Sequence, residues 1–327
     1  MTSDALLVTG GAGFVGSHFV RLAVEQQRRV IVLDDLSSGV DRAVPAGVEL
    51  VRGDIGDMEL VRSICVRASV GAVAHFAGKI QVGESVRQPE AYFDTNVVRS
   101  LRLLDAVRES GVDTVLFSST AAVYGNPSQI PVPETAPRAP ESPYGASKLA
   151  VEHILEAYGV AHGLRWASLR YFNAAGAHPD GTLREAHEPE THLIPLVVDA
   201  ALARRAPPVV FGNDYPTPDG TCVRDYVHVC DLASAHAAAL DALRSGTSVG
   251  PVNLASGRGF SVREVIDAAG RLLGAPVAHS VGARRAGDPP VLIADPSRAS
   301  SVLGWRPVRS DLETILEDAV RSRASTG

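Results

Sequence analysis

The sequence predicts an α/β protein: a Rossmann-type, doubly wound parallel sheet followed by a smaller, mixed α/β C-terminal substrate domain. Three observations carry that prediction. Short apolar runs alternate with longer stretches of helical periodicity, a glycine-rich turn follows the first run at once, and the second run ends in an acid. Alternation of this kind builds parallel sheets with right-handed helical crossovers, whose ligands bind at the carboxyl ends of the strands.

The runs at 5–8, 30–33, 48–51, 72–75, 115–117 and 166–169 read as strands. Helices are expected between them. Within 92–110, Val97, Leu101, Leu104 and Val107 recur at helical spacing, with Arg99, Arg102, Asp105 and Glu109 left for the wet side. After about Asn173 the rhythm weakens, and Pro- and Gly-bearing stretches at 176–181, 212–220 and 284–290 alternate with helical patterns at 193–204 and 231–243. The expected division is residues 1–173 for the first domain and 174–327 for the second. That boundary is soft, because 227–243 could return to pack on the first domain.

Composition narrows the function classes. With 327 residues, 45% hydrophobic and 21% charged, the chain can bury a sizeable core, so disorder is not expected. No run approaches 18 apolar residues, and Met1-Thr2-Ser3-Asp4 lacks the basic flank and cleavage site of a secretion signal. A soluble, cytoplasmic protein is expected. Cys65, Cys222 and Cys230 show neither C-x-x-C nor Cys/His ligand spacing, so buried free thiols are expected and a metal is not. A net charge of -6 without a long Lys/Arg run argues against nucleic acid or an anionic membrane as partner.

The glycine-rich turn is Gly10-Gly11-Ala12-Gly13-Phe14-Val15-Gly16. Glycines alone would suit any tight strand-to-helix turn. Here a strand precedes, a helix starts near Phe14, and the next strand ends at Asp34, which together make a dinucleotide fingerprint. Gly10, Gly13 and Gly16 let the backbone approach a pyrophosphate, whose charge then faces free N–H groups at the helix start. Asp34 would accept hydrogen bonds from the adenosine ribose. A second acid at Asp35 and no arginine repel a 2′-phosphate, so NAD is expected rather than NADP.

The second chemical cluster is Ser142-Pro143-Tyr144-Gly145-Ala146-Ser147-Lys148. Pro143 suits a first helical turn, so Tyr144 and Lys148 share one helix face. Ionising a phenol near neutrality costs about 4 kcal/mol, which the Lys148 charge and the helix N-terminus would help to offset. Upstream, a strand opens into Ser118-Ser119-Thr120-Ala121-Ala122-Val123-Tyr124, where Thr120 can offer a hydroxyl to a substrate oxygen. An isolated Tyr/Lys pair would read as a surface helix pair; behind a dinucleotide fingerprint it reads as catalytic. Tyr124 stays open between core and pocket wall.

These motifs, with His75-Phe76-Ala77-Gly78 and Leu169-Arg170-Tyr171-Phe172-Asn173, resemble the extended short-chain dehydrogenase/reductase family. Segments at 82–85, 170–179, 211–221, 223–233 and 284–289 resemble its UDP-glucose 4-epimerase branch, in order and over nearly the whole chain. The resemblance implies NAD contacts from Gly10, Gly13, Phe14, Val15, Gly16, Asp34, Asp54, Ile55, Phe76, Ala77, Gly78, Asn96, Ser118, Tyr144, Lys148 and Tyr171. It implies Tyr144 as base, with Thr120 and Lys148 beside it. For the sugar nucleotide, UDP-glucose or UDP-galactose, it implies Thr120, Tyr144, Asn173, Leu193, Phe211, Arg224, Arg285, Asp288 and Leu292. Arg224 and Arg285 suit a diphosphate and Asp288 a ribose hydroxyl, although either arginine taken singly could be a surface ion pair.

Three positions depart from the family pattern. Thr120 stands where some members have serine, Lys79 is one place off a lysine that others align with Ile80, and Leu292 replaces a pocket-closing tyrosine. The last leaves room for an N-acetyl group. The implied reaction oxidises the sugar at C4 to a ketone and returns hydride to the opposite face, so NAD is tightly retained. The resemblance also implies a homodimer, for which the helices in 92–110 and 144–162 could pair. Two rivals remain: a nucleotide-sugar 4,6-dehydratase, opposed by Ala121 and Ala122 where that chemistry needs acids, and a catalytically silent NAD-binding sensor, opposed by the intact Tyr144, Lys148 and Thr120.

Overall fold

A computed structural model describes residues 4–285 and 288–324. Its first part runs β1 (Ala5–Thr9), α1 (Phe14–Glu25), β2 (Val30–Asp34), β3 (Glu49–Arg52), α2 (Met58–Ala68) and β4 (Val70–His75). There follow α3 (Val82–Arg87), α4 (Pro89–Phe93), α5 (Arg99–Glu109), β5 (Thr114–Thr120), α6 (Pro143–His162) and β6 (Arg165–Tyr171). All six expected strands form. Five are longer than expected, by one to four residues, and β3 is shifted by one, because hydrogen-bond ladders extend into polar residues that hydropathy does not mark.

Beyond them lie β7 (Asn173–Ala175), α7 (Leu193–Ala201), β8 (Val209–Phe211), β9 (Val223–His228), α8 (Val229–Arg244) and β10 (Gly250–Leu254). The chain ends with β11 (Gly259–Ser261), α9 (Val262–Leu273), β12 (Ser280–Gly282), β13 (Val291–Leu292), α10 (Ser297–Leu303) and α11 (Leu312–Ala324).

Seven parallel strands form the main sheet in the order β3-β2-β1-β4-β5-β6-β10. Strands β1 and β2 are buried along their whole length, as strands covered on both faces must be. One face packs Phe19 and Val20 of α1 against Leu232, Ala239 and Leu240 of α8. The other packs Ile64 of α2, Leu104 of α5 and Leu155 of α6. Residues 229–254 thus lie with the first layer, although they follow residue 173 in the chain. A second, four-stranded sheet is centred on β9, which pairs β7, β11 and β13, while β8 pairs β12. A separate core gathers Val197 and Val198 of α7, Val265 and Ala269 of α9, and Ile315 and Leu316 of α11.

Helix starts follow local chemistry. Asp57 accepts from Leu60 N–H to cap α2, Ser142 accepts from Gly145 N–H before Pro143 opens α6, and Ser261 and Glu264 form a reciprocal capping box at α9. Caps of this kind contribute about 1 kcal/mol each. The smaller second-sheet strands carry too little apolar periodicity for the sequence to announce them.

One expectation fails in detail. The 92–110 stretch is helical, but a π-helical turn at Asp94–Val98 inserts one extra residue between α4 and α5. The buried face is Asn96, Ser100, Leu103, Leu104 and Val107, and Leu101 is left exposed. Polar Asn96 and Ser100 carry that face through the turn, so hydropathy alone picks Leu101 in their place.

Candidate active site

At the carboxyl end of β1 the sheet order reverses between β2 and β4, which opens a crevice. Gly10 lines it with φ +72°, and a Cβ there would sit 2.4 Å from Ala77 N. A Cβ on Gly16 would lie 2.2 Å from the Gly10 carbonyl oxygen. Both glycines are thus required by backbone approach. Helix α1 starts at Phe14 with no side-chain cap on Gly13, and its first turn closes with Ser17 N–H to Gly13 at 2.9 Å. The N–H groups of Phe14, Val15 and Gly16 precede that bond, so they face outward as an anion cradle.

Asp34 ends β2, and its carboxylate accepts from Ala12 N–H and Leu36 N–H at 2.9 Å each. Burial pushes its pKa up, against those two bonds. The remaining lone pairs suit ribose hydroxyls; Arg52 on β3 is the register partner of Asp34. Asp54 accepts from Gly56 N–H at 2.7 Å and from Arg99 at 2.6 Å, beside buried Ile55. Phe76 packs between Phe19 and His236, with ring centroids 5.4 and 4.7 Å away. These residues fit a dinucleotide lying across β1, β2 and β4.

The 76–79 loop is fixed by a group that the sequence marks only through the resemblance. Asn96, carried inward by the π turn, accepts from Lys79 N–H at 2.8 Å and donates to the Lys79 carbonyl and Ser147 Oγ, both at 3.0 Å. A Cβ on Gly78 would come within 2.9 Å of Asn96 Oδ1 and 3.4 Å of Lys148 Nζ. The Lys79 side chain turns away, 3.6 Å from Glu84.

Strand β5 ends at Thr120, and α6 lays Tyr144 and Lys148 over it. Lys148 is buried, donates to the Ser118 carbonyl at 3.1 Å, and lies 4.9 Å from the Phe117 ring centre. Burial lowers its pKa to about 8. The same burial raises the Tyr144 phenol, while a hydrogen bond with the Thr120 hydroxyl works the other way. Tyr92 meets Tyr144 edge-on at 6.4 Å and is itself held by Gln81 and Glu84. Ser118 Oγ bonds the Tyr171 hydroxyl. Ala121 and Ala122 open the 3-10 turn Ala121–Tyr124, with Ala122 N–H on Thr120 Oγ1 at 3.1 Å.

The other candidates lie in the second lobe. Asn173 starts β7 and donates to the Asp225 carbonyl at 2.7 Å. With Leu193, the first residue of α7, and Tyr226 it lines a small cavity. Arg224 donates to the Pro289 carbonyl at 2.8 Å and lies 3.5 Å from Asp288. The Arg285 guanidinium stacks 3.9 Å from the centre of the Phe211 ring. Leu292 packs against the cluster of Val123, Tyr124, Val132, Ala136 and Leu149.

Behind the site lies a charged core that the sequence does not reveal. Arg170 and Glu152 pair at 2.5 Å with side chains 1% and 2% exposed, and Glu152 also accepts from Ser119 at 2.6 Å and Ser168 at 2.8 Å. Tyr124 proves to be core: its hydroxyl accepts from Arg170 at 2.8 Å and donates to Asn253 at 2.7 Å. Among the described residues, no helix is long and apolar enough to cross a membrane.

Residues 6–255 match the model of the NAD dependent epimerase/dehydratase family. Over 318 residues, 97% of this chain and 95% of the relative, the sequence is 49% identical to a UDP-glucose 4-epimerase of Streptomyces lividans. The Brucella ovis UDP-glucose 4-epimerase, solved in complex with NAD, superposes with a TM-score of 0.94 at 47% identity, covering 97% of both chains. The UDP-Glc/GlcNAc 4-epimerase of Campylobacter jejuni gives a TM-score of 0.86 at 38% identity, covering 98% of this chain and 99% of that one.

Proposed function

The chain belongs to the NAD dependent epimerase/dehydratase family, and from that premise we infer that it interconverts UDP-glucose and UDP-galactose at C4, with NAD as cofactor. The observation that carries the reading is the meeting of Tyr144, Thr120 and Lys148 at the end of β5, with alanines where a dehydratase would need acids. Bound across β1, β2 and β4, NAD supplies a reversible hydride acceptor.

We assign the proton work to Tyr144, which takes the proton of the sugar 4-hydroxyl and later returns it. Thr120 shares the hydrogen bond to that oxygen. Lys148 holds positive charge near the phenolate and fixes the strand end through the Ser118 carbonyl. Asn173, Leu193, Phe211, Arg224, Arg285 and Asp288 hold the UDP portion, so the hexose can turn over while its anchor stays put. With the 4-keto sugar presenting either face, both epimers form. Net redox is zero, which favours a cofactor retained through turnover.

Incubating the pure protein with UDP-galactose, without added NAD, is expected to yield UDP-glucose by chromatography. No conversion even with NAD supplied would overturn the reading.

Leu292 bears on the substrate range. Its packing against Val123 and Tyr124, just after Thr120 in the chain, and the smaller volume of leucine support acceptance of N-acetylated UDP-hexoses. Leu292→Tyr is expected to leave UDP-galactose turnover within about threefold and to cut UDP-N-acetylgalactosamine turnover by at least about tenfold. Equal effects on both sugars would remove Leu292 from specificity.

The same reading takes residues 1–173 with 227–254 as the NAD-binding body and the remainder as the sugar-nucleotide lobe. It takes the enzyme as a cytoplasmic homodimer. Exposed Val98 and Leu101 beside α5 and Val160 on α6 support a helix-to-helix interface between copies. The free thiols Cys65, Cys222 and Cys230 are in keeping with a reducing compartment.

A further inference from the structure

The strongest cluster of ionisable groups outside the catalytic strand end lies just before α7. Glu185, His187, Glu190 and His192 bring one ligand atom each to within 4.8 Å of one another. Both imidazoles turn Nδ1 toward the same Glu185 oxygen: His187 Nδ1 lies 3.0 Å from it, and His192 Nδ1 bonds it. His192 Nδ1 also lies 3.7 Å from Glu190 Oε1.

Two facts point to a missing positive charge at that centre. The side chains of Glu185 and Glu190 are only 2% and 7% exposed, and each faces a histidine. Meanwhile His187 Nδ1 is buried, faces Glu185, and has no hydrogen-bond partner of suitable geometry. Two buried carboxylates this close destabilise one another unless a cation sits between them. His192 Nδ1 already bonds Glu185, whereas His187 Nδ1 is left without a partner.

We propose that Glu185, His187, Glu190 and His192 form a binding site for a divalent transition cation of the zinc class. Two neutral imidazoles and two carboxylates neutralise a 2+ ion and match its preference for nitrogen and oxygen donors. Tetrahedral bonds of about 2.0–2.2 Å need the four donors to draw together by rotamer adjustment, which half-exposed His192 and the surface side of the loop permit. The sequence expectation of no metal rested on cysteine spacing, which says nothing about a Glu/His set. His192 also lines the cavity with Asn173, Leu193 and Tyr226, so an occupied site would pin the start of α7 beside the proposed UDP anchor.

The test uses the full chain with its dinucleotide, stripped with EDTA and titrated with Co2+ as a spectroscopic probe. About one Co2+ per chain is expected, with the visible absorption of a four-coordinate site, displaced by Zn2+. His187→Gln and Glu190→Gln are each expected to weaken Co2+ binding by at least about tenfold with the circular dichroism spectrum unchanged. No stoichiometric Co2+ band, or a band undiminished in both variants, overturns the site. Because the readout is metal binding, it stands or falls independently of the epimerase assay.

Discussion

Tyr144→Phe is expected to lower kcat by about 10^3-fold or more while UDP binding stays within a few-fold of the parent. The substitution removes one oxygen and keeps the ring that meets Tyr92 edge-on at 6.4 Å, so packing is preserved. What is lost is the group that accepts the 4-hydroxyl proton. The surroundings explain why the phenol cannot do this unaided. Burial raises Tyr144 and lowers Lys148 to about 8, so each alone prefers its neutral form. The phenolate becomes accessible only when the lysine is charged and Thr120 donates to it, which makes the three a unit. Thr120→Val should therefore lose activity too, whereas Thr120→Ser should largely keep it. The check is kcat by conversion of UDP-galactose alongside UDP titration by calorimetry; turnover of Tyr144→Phe within about tenfold of the parent would remove the tyrosine from the proton role.

Glu152→Ala is expected to destabilise the fold by about 3–5 kcal/mol, because it strands the Arg170 guanidinium without its carboxylate. Arg170 is 1% exposed, so water cannot replace the lost partner. Glu152 also accepts from Ser119, the residue before Thr120, at 2.6 Å. Damage should therefore spread to the strand end and lower kcat as well. The comparison that isolates the pair is urea unfolding of Glu152→Ala, Arg170→Met and the double variant. The double is expected to be less destabilised than the sum of the singles, since it removes both charges together. Additive losses would show that the two side chains act separately.

Much of this was readable beforehand, for reasons that differ from place to place. Strands β1 to β6 were visible because parallel strands covered on both faces are written as continuous apolar runs. The cradle at Gly10, Gly13 and Gly16 was visible because close backbone approach forbids other residues, and Asp34 because it closes the next strand. The Tyr144 and Lys148 pair followed from helix spacing.

Other features were silent. The Arg170–Glu152 core is formed by residues 18 apart on different elements, and an arginine within an apolar strand gives no hint of its partner. The strands of the β9 sheet are two to six residues long and take their pairing from distant segments. The Glu185 cluster sits in a loop without periodicity. Only resemblance singled out Asn96, since a polar residue inside a helical pattern ordinarily reads as solvent-facing.

The π turn at Asp94–Val98 has a further meaning for how such a chain can change length. In a helix, losing one residue is a rotation of about 100° for everything before it. Removing a residue between Asn96 and Ser100 would turn Asn96 by about 100° relative to α5 and swing it off the Lys79 backbone. The loop beneath the cofactor would lose its clamp, although no contact residue had been replaced. The extra residue thus works as a stored phase shift, and the length of this stretch is under the same constraint as the identity of any side chain in the site.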